Sequence, residues 1–172
     1  MIRERVQGLV RATMIRLAPR PWFVTFMRQV MVPVDRYLLA RSKGRYSMGG
    51  TTGAGTLLLT TTGRRTGQPR TTPLFFKPHG DGVFAVVASN FGRPQPAAWA
   101  ENLLAHPDAV VTFGNQVIPV RARMLKDAEH EEVWDFFVSE APVYGNYLTN
   151  SSHSSFRTFA LESSGESSGR PV

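Results

Sequence analysis

At Thr56 the apolar residues change their period. Before it they recur at helical intervals. After it they fall into short runs rich in Leu, Thr, Val and Phe, broken by Gly, Pro, Asn and Asp. A chain with this order folds as helices first and a sheet of short strands second. Regular alternation of strand and helix is missing, which excludes a doubly wound parallel sheet. With 172 residues, the length suits one domain and a modest extension.

Residues 2–18 read as an amphipathic helix. At about 100° per residue, Ile2, Val6, Leu9, Val10 and Leu17 share one arc, with Arg3, Arg5 and Arg16 at its edges. Pro19 and Pro21 end it. Phe23, Phe26, Met27, Val30, Val34 and Leu38 continue at helical spacing, and Pro33 is expected to kink or divide this second segment. Residues 44–55 hold five glycines and read as a junction rather than a phosphate loop, because no Gly-Lys-Ser/Thr follows.

The net charge of +7 is concentrated in this part of the chain. Residues 1–46 carry ten basic and two acidic groups; the rest carry ten basic and eleven acidic ones. A nearly neutral body disfavours a protein that coats nucleic acid. A basic, amphipathic N-terminal quarter fits peripheral contact with an anionic membrane through residues 1–46, or packing on the main body or across a dimer. Charged residues interrupt every apolar stretch, so no run approaches the roughly 20 residues of a membrane-spanning helix, and a signal-peptide core is missing. The expected location is cytoplasmic, at or near the inner face of the cell membrane. The chain has no cysteine, which removes disulfides and thiolate chemistry.

Strands are expected at Thr56–Thr62, Arg70–Lys77, Val83–Ser89, Val110–Phe113, Val117–Leu125 and Phe156–Leu161. A helix is expected over Gln95–His106. A second begins at Asp127, taken as its N-cap, and runs to about Glu140. Residues 143–150 form a short aromatic turn or helix. Six short strands, mostly joined by hairpins with one helical crossover, predict an α+β fold around a small barrel or strongly curved sheet. The domains are then a basic helical extension over 1–50, a barrel over 51–162 and a disordered polar tail over 163–172.

The four histidines are never paired at helical spacing, so a metal site is not expected. No nucleophile elbow is present. An enzyme with this inventory draws its hard chemistry from a cofactor. The most distinctive segment is Gly63-Arg64-Arg65-Thr66-Gly67-Gln68-Pro69-Arg70: a strand ends in a glycine turn carrying arginines. Guanidinium groups recognise phosphate or carboxylate with two parallel hydrogen bonds; a solvated basic turn is the plainer alternative. Ser89 ends a strand and Asn90 follows it, ahead of Trp99. Tyr144 and Tyr147 can present both rings to one side of a short helical turn.

The strings LLLTTTGRRTGQPRTTPL, VVASNFGRPQPAAW, ENLLAHP and PVYGNY, in this order, resemble the deazaflavin-dependent nitroreductase family across residues 56–161. The resemblance implies a split β-barrel of mostly antiparallel strands. It implies coenzyme F420, an 8-hydroxy-5-deazaflavin with a phosphate and an oligoglutamate tail. It places the cofactor phosphate at Arg64, Arg65, Thr66, Gly67 and Arg70, and Pro73 near the ring system. Ser89, Asn90 and Trp99 take cofactor positions. Tyr144 and Tyr147 take the acceptor side, and Ser89 or Tyr144 is the candidate proton relay. Three positions depart from the family pattern. Asn90 and Phe91 stand where the well-studied type has lysine and glycine, which removes an anion contact and adds a ring. Asn150 stands at a third aromatic position.

The implied activity is hydride transfer from reduced deazaflavin to a small electron-poor acceptor: a quinone, an enone or a nitroaromatic. The alternatives are an FMN enzyme on the same barrel and a non-catalytic carrier of a deazaflavin or fatty acid. A homodimer stays open.

Overall fold

The computed structural model describes residues 20–26, 29–30, 32–42, 55–141, 143–149 and 154–164. The helix expected over residues 2–18, most of the glycine junction, Asn150 and residues 165–172 lie outside this set. Among the described residues, two helices precede the sheet: α1 (Pro21–Phe26) and α2 (Val32–Arg41). The sheet elements are β1 (Gly55–Thr62), β2 (Pro69–Pro78), β3 (Val83–Val87), β4 (Asp108–Phe113), β5 (Gln116–Met124) and β6 (Thr158–Ser163). Helix α3 (Ala98–Ala105) follows β3, and α4 (Asp127–Glu140) and α5 (Val143–Thr149) follow β5. No described helix is long and apolar enough to cross a membrane.

The strands close into an antiparallel barrel in the order β1-β2-β3-β6-β5-β4. Hairpins join β1 to β2, β2 to β3 and β4 to β5. Two helical connections close the ring, where the sequence predicted one. The second runs through α4 and α5, so the tyrosine segment belongs to a crossover. The β4–β5 hairpin turns at Gly114-Asn115 as expected; both have positive φ, 56° and 71°, and Phe113 pairs with Gln116. That is the twist a two-residue hairpin prefers.

Period-two patterning accounts for two core clusters. Phe84 and Val86 of β3 point into the barrel with Leu57, Leu59, Phe76, Val111, Val120, Phe159 and Leu161. Ala85 and Val87 face the other way and meet Val133 and Phe137 of α4, with Leu125, Phe156 and Ala160. A strand buried on both faces reads as a continuous apolar run, which is how Val83–Val87 looks.

The barrel is not evenly paired. β2 runs along β1 from Pro69 to Phe76, but meets β3 only through Lys77 and Pro78. Between Pro69 and Phe76 its second edge has no described strand partner. Proline lacks a ladder donor and is tolerated beside such a free edge, and Pro73 sits there, paired with Leu58. Helix α2 packs against β1 and β2, with Leu39 at 1% exposure.

Two local expectations are corrected. Lys126, not Asp127, is the N-cap of α4; Asp127 starts the helix with φ 49° and contributes no side-chain cap. Its charge still complements the positive end of the helix dipole, together with Glu129. Residues 95–97, expected within α3, precede it: Ala97 is extended at the N-cap, and Pro94 and Pro96 hold back the first turn.

Candidate functional site

The β1–β2 turn is a short, well-satisfied loop. Gly63 N–H donates to Gln68 O at 2.9 Å, and Gly67 N–H donates to Gly63 O at 2.8 Å. Gly67 has φ 66°, a conformation glycine adopts without a Cβ clash. The turn therefore sets its backbone by itself and leaves the side chains of Arg64, Arg65 and Thr66 exposed.

What aims the turn is Asn102 on α3. Its Oδ1 accepts from Arg64 N–H at 3.0 Å, and its Nδ2 donates to Thr61 Oγ1 at 3.0 Å. Asn102 is 6% exposed and Thr61 1%. One buried amide thus ties the end of β1 and the start of the arginine turn to a helix arriving from the next crossover. Thr60 and Thr71 add a hydroxyl pair across the hairpin at 2.9 Å.

A groove of about 780 Å³ opens between this turn, β2 and α3, within the usual range for ligand sites. Its lining includes Arg36, Arg64, Arg65, Thr66, Arg70 and Trp99. Four arginines face one carboxylate, Glu101, which is already shared by Arg64 at 3.2 Å and Arg157 at 2.5 Å. Arg36, Arg65 and Arg70 have no ion-pair partner among the described residues. Such a donor set fits a phosphate or several carboxylates. Trp99 is mostly core: it is 8% exposed and packs edge-on to Phe159 at 5.7 Å, with part of its surface on the groove. Among the described residues, no group of three His, Asp or Glu gathers as a metal set.

The other expected site residues lie elsewhere. Pro73 sits inside β2 and is not part of the groove lining. Ser89 is 8% exposed, and its carbonyl accepts from Gly92 N–H at 2.8 Å. The next three residues form a left-handed turn: Asn90, Phe91 and Gly92 have φ of 43°, 58° and 71°. Left-handed backbone is strained for Phe above all. Two contacts hold it. Asn90 Nδ2 donates to Gln95 O at 2.7 Å, and the turn packs on α5, where a Cβ on Gly92 would come within 3.0 Å of Tyr147 Cα. Gln95 lines the groove, so Asn90 reaches the groove's rim through the backbone.

Tyr144 and Tyr147 form a separate aromatic cluster. Tyr144 lies 5.2 Å from Phe137 and 5.9 Å from Tyr147, centroid to centroid, and Tyr147 lies 6.2 Å from Phe91. Burial pushes the Tyr147 hydroxyl up to about 12. Burial, and then the neighbouring Tyr147, pushes Tyr144 up as well. Both keep their protons near neutral pH and can act as hydrogen-bond donors.

Sequence reasoning missed two groove residues. Asn102 was visible in the ENLLAHP string but carried no role. Arg36 was one basic residue among ten, with no motif around it.

The family model described as F420H(2)-dependent quinone reductase matches residues 34–155. An F420H(2)-dependent quinone reductase of Mycobacterium tuberculosis (strain H37Rv) is 36% identical over 99 residues, which are 56% of this chain and 66% of that protein, just under two thirds of its length. A solved F420-H2 dependent reductase superposes with a TM-score of 0.55 at 34% identity, covering 62% of this chain and 93% of the other. Another solved chain, described as a domain-swapped dimer, gives 0.57 at 31% identity, covering 76% and 99%.

Two outcomes are expected. Replacing Asn102 with Ala leaves the Arg64 amide without its acceptor and Thr61 Oγ1 without its donor, so that Thr61 keeps only its own donation to Arg70 O at 3.4 Å; the cost is about 1–3 kcal/mol, thermal unfolding should fall by several degrees, and unchanged melting would show that the clasp contributes nothing. The raised tyrosines also set an alkaline limit. Their folded values lie above the unfolded value of about 10, so their contribution is intact below that pH and is lost as pH rises toward about 12. Urea unfolding at increasing pH should show a shallower alkaline loss for Tyr144→Phe/Tyr147→Phe than for the unmodified chain; equal slopes would contradict this.

Proposed function

Because the chain belongs to the F420H(2)-dependent quinone reductase family, we propose that it reduces a quinone, or a similar electron-poor acceptor such as an enone or nitroaromatic, at the expense of reduced F420. The observation that carries this reading is the groove, in which one paired arginine and three that have no ion-pair partner among the described residues converge beside Trp99. The donor set fits the cofactor's anionic tail, and the family match favours the deazaflavin over FMN and a catalyst over a carrier.

When bound and reduced, the deazaflavin supplies a hydride. The chain's own residues do the rest. Arg64, Arg65, Thr66, Gly67 and Arg70 hold the tail phosphate. Pro73, Ser89, Asn90 and Trp99 are assigned to the cofactor's ring end. Tyr144 and Tyr147 are assigned to the acceptor side, where their neutral hydroxyls donate hydrogen bonds to a carbonyl oxygen that gains charge. Ser89 Oγ, or the Tyr144 hydroxyl, holds the proton that the reduced acceptor takes up. Orientation and charge stabilisation are the protein's contribution.

The acceptor's solubility in lipid gives the N-terminal quarter a role: peripheral contact with an anionic membrane. What supports this is its charge, ten basic groups against two acidic over residues 1–46, and the large side chains it leaves in solvent. Trp22 is 56% exposed and Tyr37 66%, with Phe26, Val30 and Val34 also exposed. Apolar side chains enter the interfacial layer while arginines stay at the lipid phosphates, each basic group adding about 1 kcal/mol. A homodimer has its support in the solved relative described as a domain-swapped dimer; light scattering on the purified chain decides it.

Loss of a charge-assisted hydrogen bond is worth about 1.5–3 kcal/mol. Arg65→Ala should therefore weaken F420 binding by about ten- to a hundredfold in a fluorescence titration, with turnover of a quinone panel reduced accordingly and melting unchanged. Unaltered affinity in Arg64→Ala, Arg65→Ala and Arg70→Ala alike would overturn the assignment of the groove. For the membrane, the full chain should sediment with anionic vesicles at low salt and not with neutral ones, and Trp22→Ser/Phe26→Ser should sediment several-fold less. Indifference to lipid charge would remove membrane contact from the proposal.

A further inference from the structure

The fourth arginine of the groove comes from outside the barrel. Arg36 lies on α2, three residues before Leu39, which is 1% exposed where that helix packs against β1 and β2. Anchoring Leu39 fixes the helix, and the fixed helix carries Arg36 to the groove lined by Arg64, Arg65 and Arg70. The Arg36 side chain is exposed and has no ion-pair partner among the described residues. Glu101, the one carboxylate in the described lining, is engaged by Arg64 and Arg157. Three guanidinium groups without a counterion among the described residues therefore share one groove.

Like charges brought together this way repel until an anion enters. A single phosphate is adequately met by the β1–β2 turn, which offers Arg64, Arg65 and Arg70 within seven residues of chain. Arg36 arrives from a separate element, which suits an occupant with further negative charges beyond the phosphate. We infer that Arg36 is a cofactor-binding residue that grips the carboxylate-bearing tail, so that the helical extension completes the cofactor site. This inference rests on the F420 reading proposed above.

The test is an equilibrium fluorescence titration with the full chain and three ligands: F420, the same molecule cut back to its phosphate with no glutamate, and the tail-less deazaflavin. Arg36→Ala should weaken F420 by about tenfold, the loss of one charge-assisted contact. It should leave the two shortened ligands within about twofold of the unmodified chain and leave melting unchanged. Arg36→Lys should recover part of the loss. Equal weakening of F420 and the phosphate-terminated form would overturn the carboxylate assignment. Equal weakening of all three ligands would mean that Arg36 acts through the fold. Arg65→Ala separates the inference from the reading beneath it. If Arg65→Ala weakens F420 while Arg36→Ala does not, the inference fails and the groove remains the cofactor site. If neither variant changes affinity, the groove is not the cofactor site and both fail.

Discussion

The side-chain amide of Asn102 is the contact on which the site depends. An arginine-bearing hairpin turn at a barrel rim would otherwise be free to pivot about the end of its strands. The amide removes that freedom because it uses both ends at once, accepting from the Arg64 backbone and donating to Thr61. Burial strengthens the arrangement at its inner end, where Asn102 and Thr61 are both shielded from water. Trp99, one turn earlier on the same helix, packs against Phe159 and fixes the helix to the barrel core. Packing thus positions the helix, the helix positions the amide, and the amide positions the charges.

The strand pattern was legible because both faces of the sheet leave a mark on the sequence. Alternation within Val83–Val87 serves two cores, and the Gly114-Asn115 turn is written in residues that tolerate positive φ. The arginine turn was legible for the same reason: its glycines, threonine and arginines are neighbours in the chain. Asn102 and Arg36 were not, because their meaning lies in contacts with residues far away in sequence. The left-handed run through Phe91 was invisible too. No local preference would place an aromatic residue there; the packing of α5 over Gly92 and the Asn90 bond to Gln95 impose it. The shift from Asp127 to Lys126 as N-cap is a smaller example, in which a good capping residue was displaced by one position.

Charge is distributed so that the two ends of the molecule's task do not compete. Within the body, exposed carboxylates answer arginines away from the groove: Arg121 pairs with Asp108, and Arg123 with both Glu129 and Glu162. Exposed pairs of this kind add little stability, but they leave the groove as a place where positive charge goes unanswered. The groove's field is therefore local, and an anionic ligand meets it without being drawn to the rest of the barrel.

The span between Thr61 and Asn102, 41 residues, has a consequence for how the molecule breathes. A pocket assembled from an extension helix, a hairpin and a crossover helix exists only while all three are docked. Any excursion that lifts α3 or α2 from the barrel dissolves it, and a ligand bound across them taxes that excursion by its own binding free energy. Backbone amides of α3, silent as to chemistry, would then exchange with solvent more slowly as the groove fills, so that occupancy is recorded in the opening rate of a helix rather than in any change of shape.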